Sequence, residues 1–171
     1  MTRNLILAAG LAAALVLSGS VAQAQSADKD SQKFIKAAIE ANLAEIDVGK
    51  LAQEKGQNDA VKSYGTMLVT DHTANNEKAT QVAKQIGVTP PTGSSVGEKA
   101  TYLKLKVLSG ASFDSAFAKA MVKDHQDDIK DFQKQAAKSD PTGTFAKETL
   151  PTLQKHLQAA QALTQQTTGS H

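Results

Sequence analysis

The chain has 171 residues, a formal charge of +2, no cysteine, no tryptophan and few aromatic side chains. Without cysteine it can form no disulfide, thiol nucleophile, zinc finger or lipidated cysteine, and a near-neutral balance gives no footing for nucleic acid or an anionic membrane. Scarce aromatics leave no stacking platform for bases or sugars, while abundant Ala, Gln, Lys and Leu lean the composition towards helix.

The chain opens like a secretory leader. Arg3 precedes an apolar run from Leu5 to Leu17, and Ala22-Gln23-Ala24 follows, which is the charged, apolar and small-residue layout of a cleavable signal peptide over 1–24. The run is short for a membrane span. Cleavage after Ala24 leaves 25–171 as a single domain without a transmembrane segment, one charge unit lower because the leader holds only Arg3. A bacterial periplasm is the expected compartment.

The first helix is expected over 34–54, capped by Asp30 or Ser31. Phe34, Ala38, Ala41, Glu45, Val48 and Ala52 recur every three or four residues, the helical period, and Gly56 ends the run. A second helix is expected over 59–86 with Asp59 as cap and Val61, Tyr64, Leu68, His72, Asn75 and Ala79 as its stripe. "VTPPTGSSVG" interrupts after Gly87, because its prolines and glycines cannot continue a helix. A short helix fits 98–108, and Ser109-Gly110 breaks the chain again. The third long helix is expected over 113–138, with Ala118, Val122, His125, Ile129 and Phe132 on one face. "SDPTG" reads as a turn, and the fourth helix as 144–165, anchored by Phe145, Leu150, Leu153, Leu157 and Leu163. Pro151 is expected to kink it near 147–150 or to mark a later start.

Short turns thus join the first helix to the second and the third to the fourth. About 25 residues join the middle pair, which permits a crossover. The expected class is all-α: a ferritin-like four-helix bundle whose long middle connection carries a short extra helix. An up-down-up-down bundle is the competing topology.

Each long helix carries one ionisable residue on its apolar stripe: Glu45, His72, His125 and His156. All four fall within about two residues of their expected helix midpoints, or roughly 3 Å at 1.5 Å rise per residue. They should therefore meet in one layer of the core. Burying a carboxylate among imidazoles costs free energy unless the groups are paired or ligated. Three imidazoles and a carboxylate suit one divalent transition metal, with zinc favoured and copper, nickel or iron chemically admissible. Asp71 and Asp124 each precede a histidine and point about 100° away from it, so they suit hydrogen bonds to the ligands from behind, or a hydrogen bond between helices, better than ligation itself. The competing account is a buried His/Glu hydrogen-bonded layer that fixes helix register without metal. Glu40, Asp47, Glu77, Asp127, Asp128 and Asp131 read as solvated-face residues, and terminal His171 as free.

"EIDVGKLA" (45–52), "MLVTDH" (67–72), the stretch from Phe113 through "MVKDH" (121–125) and "LPTLQKH" (150–156) resemble the recurrent elements of a bacterial family catalogued as domain-of-unknown-function family 4142. The resemblance spans nearly the whole chain after the leader and implies an exported, ferritin-like helical bundle. It falls short of a di-iron carboxylate site. Such a site needs Glu-x-x-His on two helices, whereas Val69, Val122 and Leu153 stand three residues before the histidines. The expected function is therefore binding of one metal ion, in metal handling or envelope stress protection, without turnover. A metal-dependent oxidoreductase would need an open coordination position and an access path. The runner-up is a non-catalytic structural or interaction bundle.

Overall fold

The computed structural model describes residues 28–168, so the leader expected over 1–24, the expected cleavage point and His171 lie outside the described residues. Five helices follow in order: α1 (Lys29–Lys55), α2 (Asp59–Gln85), α3 (Val96–Lys106), α4 (Gly110–Ala136) and α5 (Pro141–Thr168). No strand occurs among the described residues.

Capping chemistry moves several helix starts from their expected places. Asp28, rather than Asp30 or Ser31, caps α1 by accepting from the Ser31 N–H at 2.8 Å. Asn58, rather than Asp59, caps α2 through the Ala60 N–H. Ser95 starts α3 two residues early with a reciprocal capping box to Glu98, satisfying two end groups at once. The turn "SDPTG" is largely the first turn of α5. Pro141 occupies the first helical position, where a missing N–H costs nothing, and Asp140 accepts from the Gly143 N–H at 2.8 Å. Pro151 neither starts nor interrupts α5, which runs continuously through it. The proline is exposed, and so is Lys147, whose carbonyl loses its helical donor. That carbonyl is left on the solvent side, where water can bond it.

The two apolar clusters fix the topology. One joins the end of α1, the start of α2, the start of α4 and the end of α5 through Leu51, Val61, Phe113, Phe117 and Leu163. The other joins the start of α1, the end of α2, the end of α4 and the start of α5 through Ile35, Ala83, Phe132 and Phe145. Hence α1 and α5 run one way, and α2 and α4 run the other. The connection between α2 and α4 climbs the length of the bundle, from Val88 in the second cluster to Leu105 in the first. This is the ferritin-like crossover, not the up-down-up-down alternative. α1 packs on α2 and α4, α5 packs on the same two helices, and α3 lies against α1 and α4.

Two hairpins result, α1–α2 and α4–α5. The first is drawn tight at Gly49 and Gly65. A Cβ added at Gly65 would stand 2.6 Å from the Gly49 carbonyl oxygen, and one added at Gly49 would stand 2.9 Å from that of Gly65. Only hydrogen on both Cα atoms permits that approach. Between the two apolar clusters lies a polar layer of buried Asn42, Glu45, His72, His125, Thr149 and His156.

Candidate metal centre

His72, His125 and His156 arrive from α2, α4 and α5 with ring centroids 5.2–5.7 Å apart. One potential ligand atom from each lies within 4.8 Å of the other two. Two of the rings are fully buried and His72 is 4% exposed. Their meeting follows from the topology: mid-helix residues of helices of equal length share a level at half height.

The ring protons can be assigned from the partners. With Asn42 Oδ1 accepting from Asn75 Nδ2 at 3.1 Å, His72 Nδ1, 2.9 Å from the same oxygen, is the donor. Thr149 has one hydroxyl proton and two acceptors at 2.9 Å, Asn75 Oδ1 and the Phe145 carbonyl. His125 Nδ1 lies 3.0 Å from the Met121 carbonyl, which can only accept. His156 Nε2 lies 2.8 Å from an Asp71 carboxylate oxygen and donates to it. A neutral imidazole has one N–H, so the nitrogens left bare are His72 Nε2, His125 Nε2 and His156 Nδ1. The first is buried without a hydrogen-bond partner. The other two face each other at 3.3 Å, lone pair against lone pair.

Burial opposes filling that gap with a proton. It pushes the His125 imidazolium down to about 4, aided by the charge of His156. His72 is held well below its ordinary value by burial and then by its two histidine neighbours. In His156 burial again dominates and lowers the value, although Asp71 pulls the other way. The three bare nitrogens, within 4.8 Å of one another, could hold a cation. Tetrahedral ligation spaces ligand nitrogens about 3.3–3.4 Å apart, and the His125–His156 pair is at 3.3 Å. Each ring also donates its outer N–H to an oxygen, as metal-bound imidazoles do. A cleft of about 150 Å³ between α2 and α5 reaches His72 and His156 past Asp71 and Lys78.

The other two expected participants stand elsewhere. Glu45 is buried in the same layer, but its nearer oxygen lies 4.0 Å from His125 Nδ1, the nitrogen turned away from the cluster. Asp124 lines a separate cleft with Glu45, Glu98 and Asp128. Asp128 is half-buried there rather than on a fully solvated face. Asn42 escaped the sequence reading, although it stands three residues before Glu45 on the stripe of Ile35 and Ile39.

A helical bundle with a crossover and a buried trio of histidines is therefore the class that fold and site define. The chain belongs to the family described as Domain of unknown function (DUF4142), which matches residues 16–163. Among solved structures, it is similar to a DUF305 fragment from Deinococcus radiodurans, with a TM-score of 0.73 and 13% identity. That likeness covers 82% of this chain and 98% of the other; at this identity it speaks for the fold alone. No curated protein matches the chain.

Proposed function

We propose that the protein is exported through the leader at 1–24 to the periplasm, where it binds one divalent transition-metal ion on His72, His125 and His156. Zinc is favoured, since three neutral imidazoles suit it and no thiolate is present to select a softer ion. The observation that carries this reading is the lone-pair confrontation of His125 Nε2 and His156 Nδ1 at 3.3 Å, beside the unpartnered His72 Nε2. The α2/α5 cleft, lined by His72 and His156, lies at the edge of the trio. The role that fits is metal binding or envelope stress protection.

One observation favours a second reading. The Asp71 carboxylate at 2.8 Å also supports an imidazolium at His156, whose Nδ1–H would donate to His125 and make the trio a metal-free polar layer. Metal content of the purified, untagged protein after dialysis against Zn, Cu, Ni, Mn and Fe separates the two. One equivalent in the wild type, absent in His72→Ala and His125→Ala, is expected, together with a melting temperature that rises with metal concentration. Absence of metal from a folded wild-type protein would leave the polar layer. In that case His125→Leu should match or exceed the wild type in stability, because an apolar group replaces a buried imidazole.

A further inference from the structure

α3 turns an apolar stripe to solvent. Val96, Leu103 and Val107 are 86%, 59% and 83% exposed, and they are the exposed large apolar side chains among the described residues. Exposed Ala100 lies in line with them. At about 100° per residue, the four fall within an arc of roughly 60°, and Val107 keeps the helical backbone that places it there. Leu105, the buried side chain of this helix, faces the opposite way into the core. Single exposed apolar residues are ordinary, but a row of them along one side of one helix marks an interaction surface.

Charge selects the partner. Lys99 and Lys104 are exposed, and the helical period sets them on the two flanks of the stripe. The lysine ion pairs among the described residues are made by Lys50, Lys123, Lys130 and Lys138, so Lys99 and Lys104 stand unpaired. Glu98, the acid of the helix, is turned back to the Ser95 N–H and the cleft beneath. A second copy docking through the same face would set lysines against lysines. An anionic surface accommodates both the stripe and its flanks. The whole chain is near neutral, but this face is not.

We propose that α3 docks the protein on an anionic lipid surface, lying flat with Val96, Leu103 and Val107 against the acyl chains and Lys99 and Lys104 reaching up to the phosphates. With 11 residues, or about 16 Å at 1.5 Å rise per residue, α3 is far short of a span. No described helix is long and apolar enough to cross a membrane, so the contact is peripheral. The bundle holds the stripe outward: Lys55 donates to the Lys106 carbonyl, and Tyr102 packs against the core beside Leu105. Nothing in this inference depends on the histidine centre.

The chain has no tryptophan, so Val107→Trp in the full chain places a single fluorescent probe at the end of the stripe. Vesicles of phosphatidylglycerol and phosphatidylcholine should shift its emission to the blue, vesicles of phosphatidylcholine alone should not, and high salt should reverse the shift. Gln154→Trp, at an exposed position on α5, should stay unshifted. Adding Lys99→Glu and Lys104→Glu together to Val107→Trp should weaken vesicle binding at least about tenfold and leave the helix content unchanged, because neither lysine is buried. The proposal is overturned if anionic vesicles leave the Val107→Trp emission unmoved, if neutral vesicles move it equally, or if the lysine variant binds as tightly as its parent. A blue shift that grows with protein concentration in the absence of lipid would overturn it too, and would make the stripe a contact between copies.

Discussion

Each buried ionisable residue here is defined by which of its atoms has a partner. His72, His125 and His156 all spend one nitrogen on an oxygen and leave the other bare. Heteronuclear NMR of the metal-free protein should find His72 and His125 as Nδ1–H tautomers and His156 as Nε2–H; another pattern would remove the argument for three converging lone pairs. The same residues set the response to pH. The unfolded chain protonates His125 below its ordinary 6.5, but the folded protein refuses that proton until about 4. Stability present above 6.5 is therefore lost as pH falls through this window, by about 3 kcal/mol for this residue. Asp128 has the opposite sign. Its folded value of about 7 against an ordinary 3.8 means that stability held at low pH is lost as pH rises from about 4 to 7. Asp128→Asn, freed of that loss, should melt above the wild type at pH 8 and lose more stability than it between pH 7 and 4.5. Thermal melts of the metal-free proteins would show both effects. The histidines and Glu45 were legible in the sequence because helical spacing alone puts them on apolar stripes. Asp128 was not, because its burial depends on α3 lying across it, and no local period reports a crossover's path.

At the level of elements, the polar clamps at the helix ends matter as much as the apolar stripes. Asp114 of α4 accepts from the Gln57 and Asn58 N–H groups at 3.0 and 2.9 Å and so ties the second hairpin to the turn of the first. At the opposite end, buried Ser31 donates to Asp140 at 2.6 Å and accepts from Gln135 at 3.0 Å, while Gln135 also donates to Thr142. Ser31→Ala leaves one of the two buried Gln135 N–H donors without its acceptor and should cost about 1–3 kcal/mol in denaturant unfolding; a smaller effect would mean that this N–H finds another acceptor. Gly65→Ala forces α1 and α2 apart at their closest approach and should cost a similar about 1–3 kcal/mol. The positions of the long helices followed from periodicity and breakers, but their starts did not. Asp28, Asn58 and Asp140 each stand just before a second plausible cap or a proline, and the choice between neighbours is made by tertiary partners. Ser31, for example, is withdrawn from capping by its bond to Asp140, just before the start of α5.

Taken whole, the molecule is two hairpins joined by a crossover, and only the length of the middle connection hinted at this in the sequence. Direction was settled by which ends share an apolar cluster, information carried by contacts far apart along the chain. The histidine trio straddles that division, with His72 on the first hairpin and His125 and His156 on the second. This has a kinetic consequence. A helical hairpin forms from local contacts and forms early, whereas docking two of them requires closure of the long connection and comes late. An ion that needs ligands from both hairpins has no complete site until they have docked. Bound metal should therefore leave the refolding rate almost unchanged and lower the unfolding rate instead. In stopped-flow traces with and without zinc, the ion would act as a latch on an assembled protein rather than as a template for its assembly.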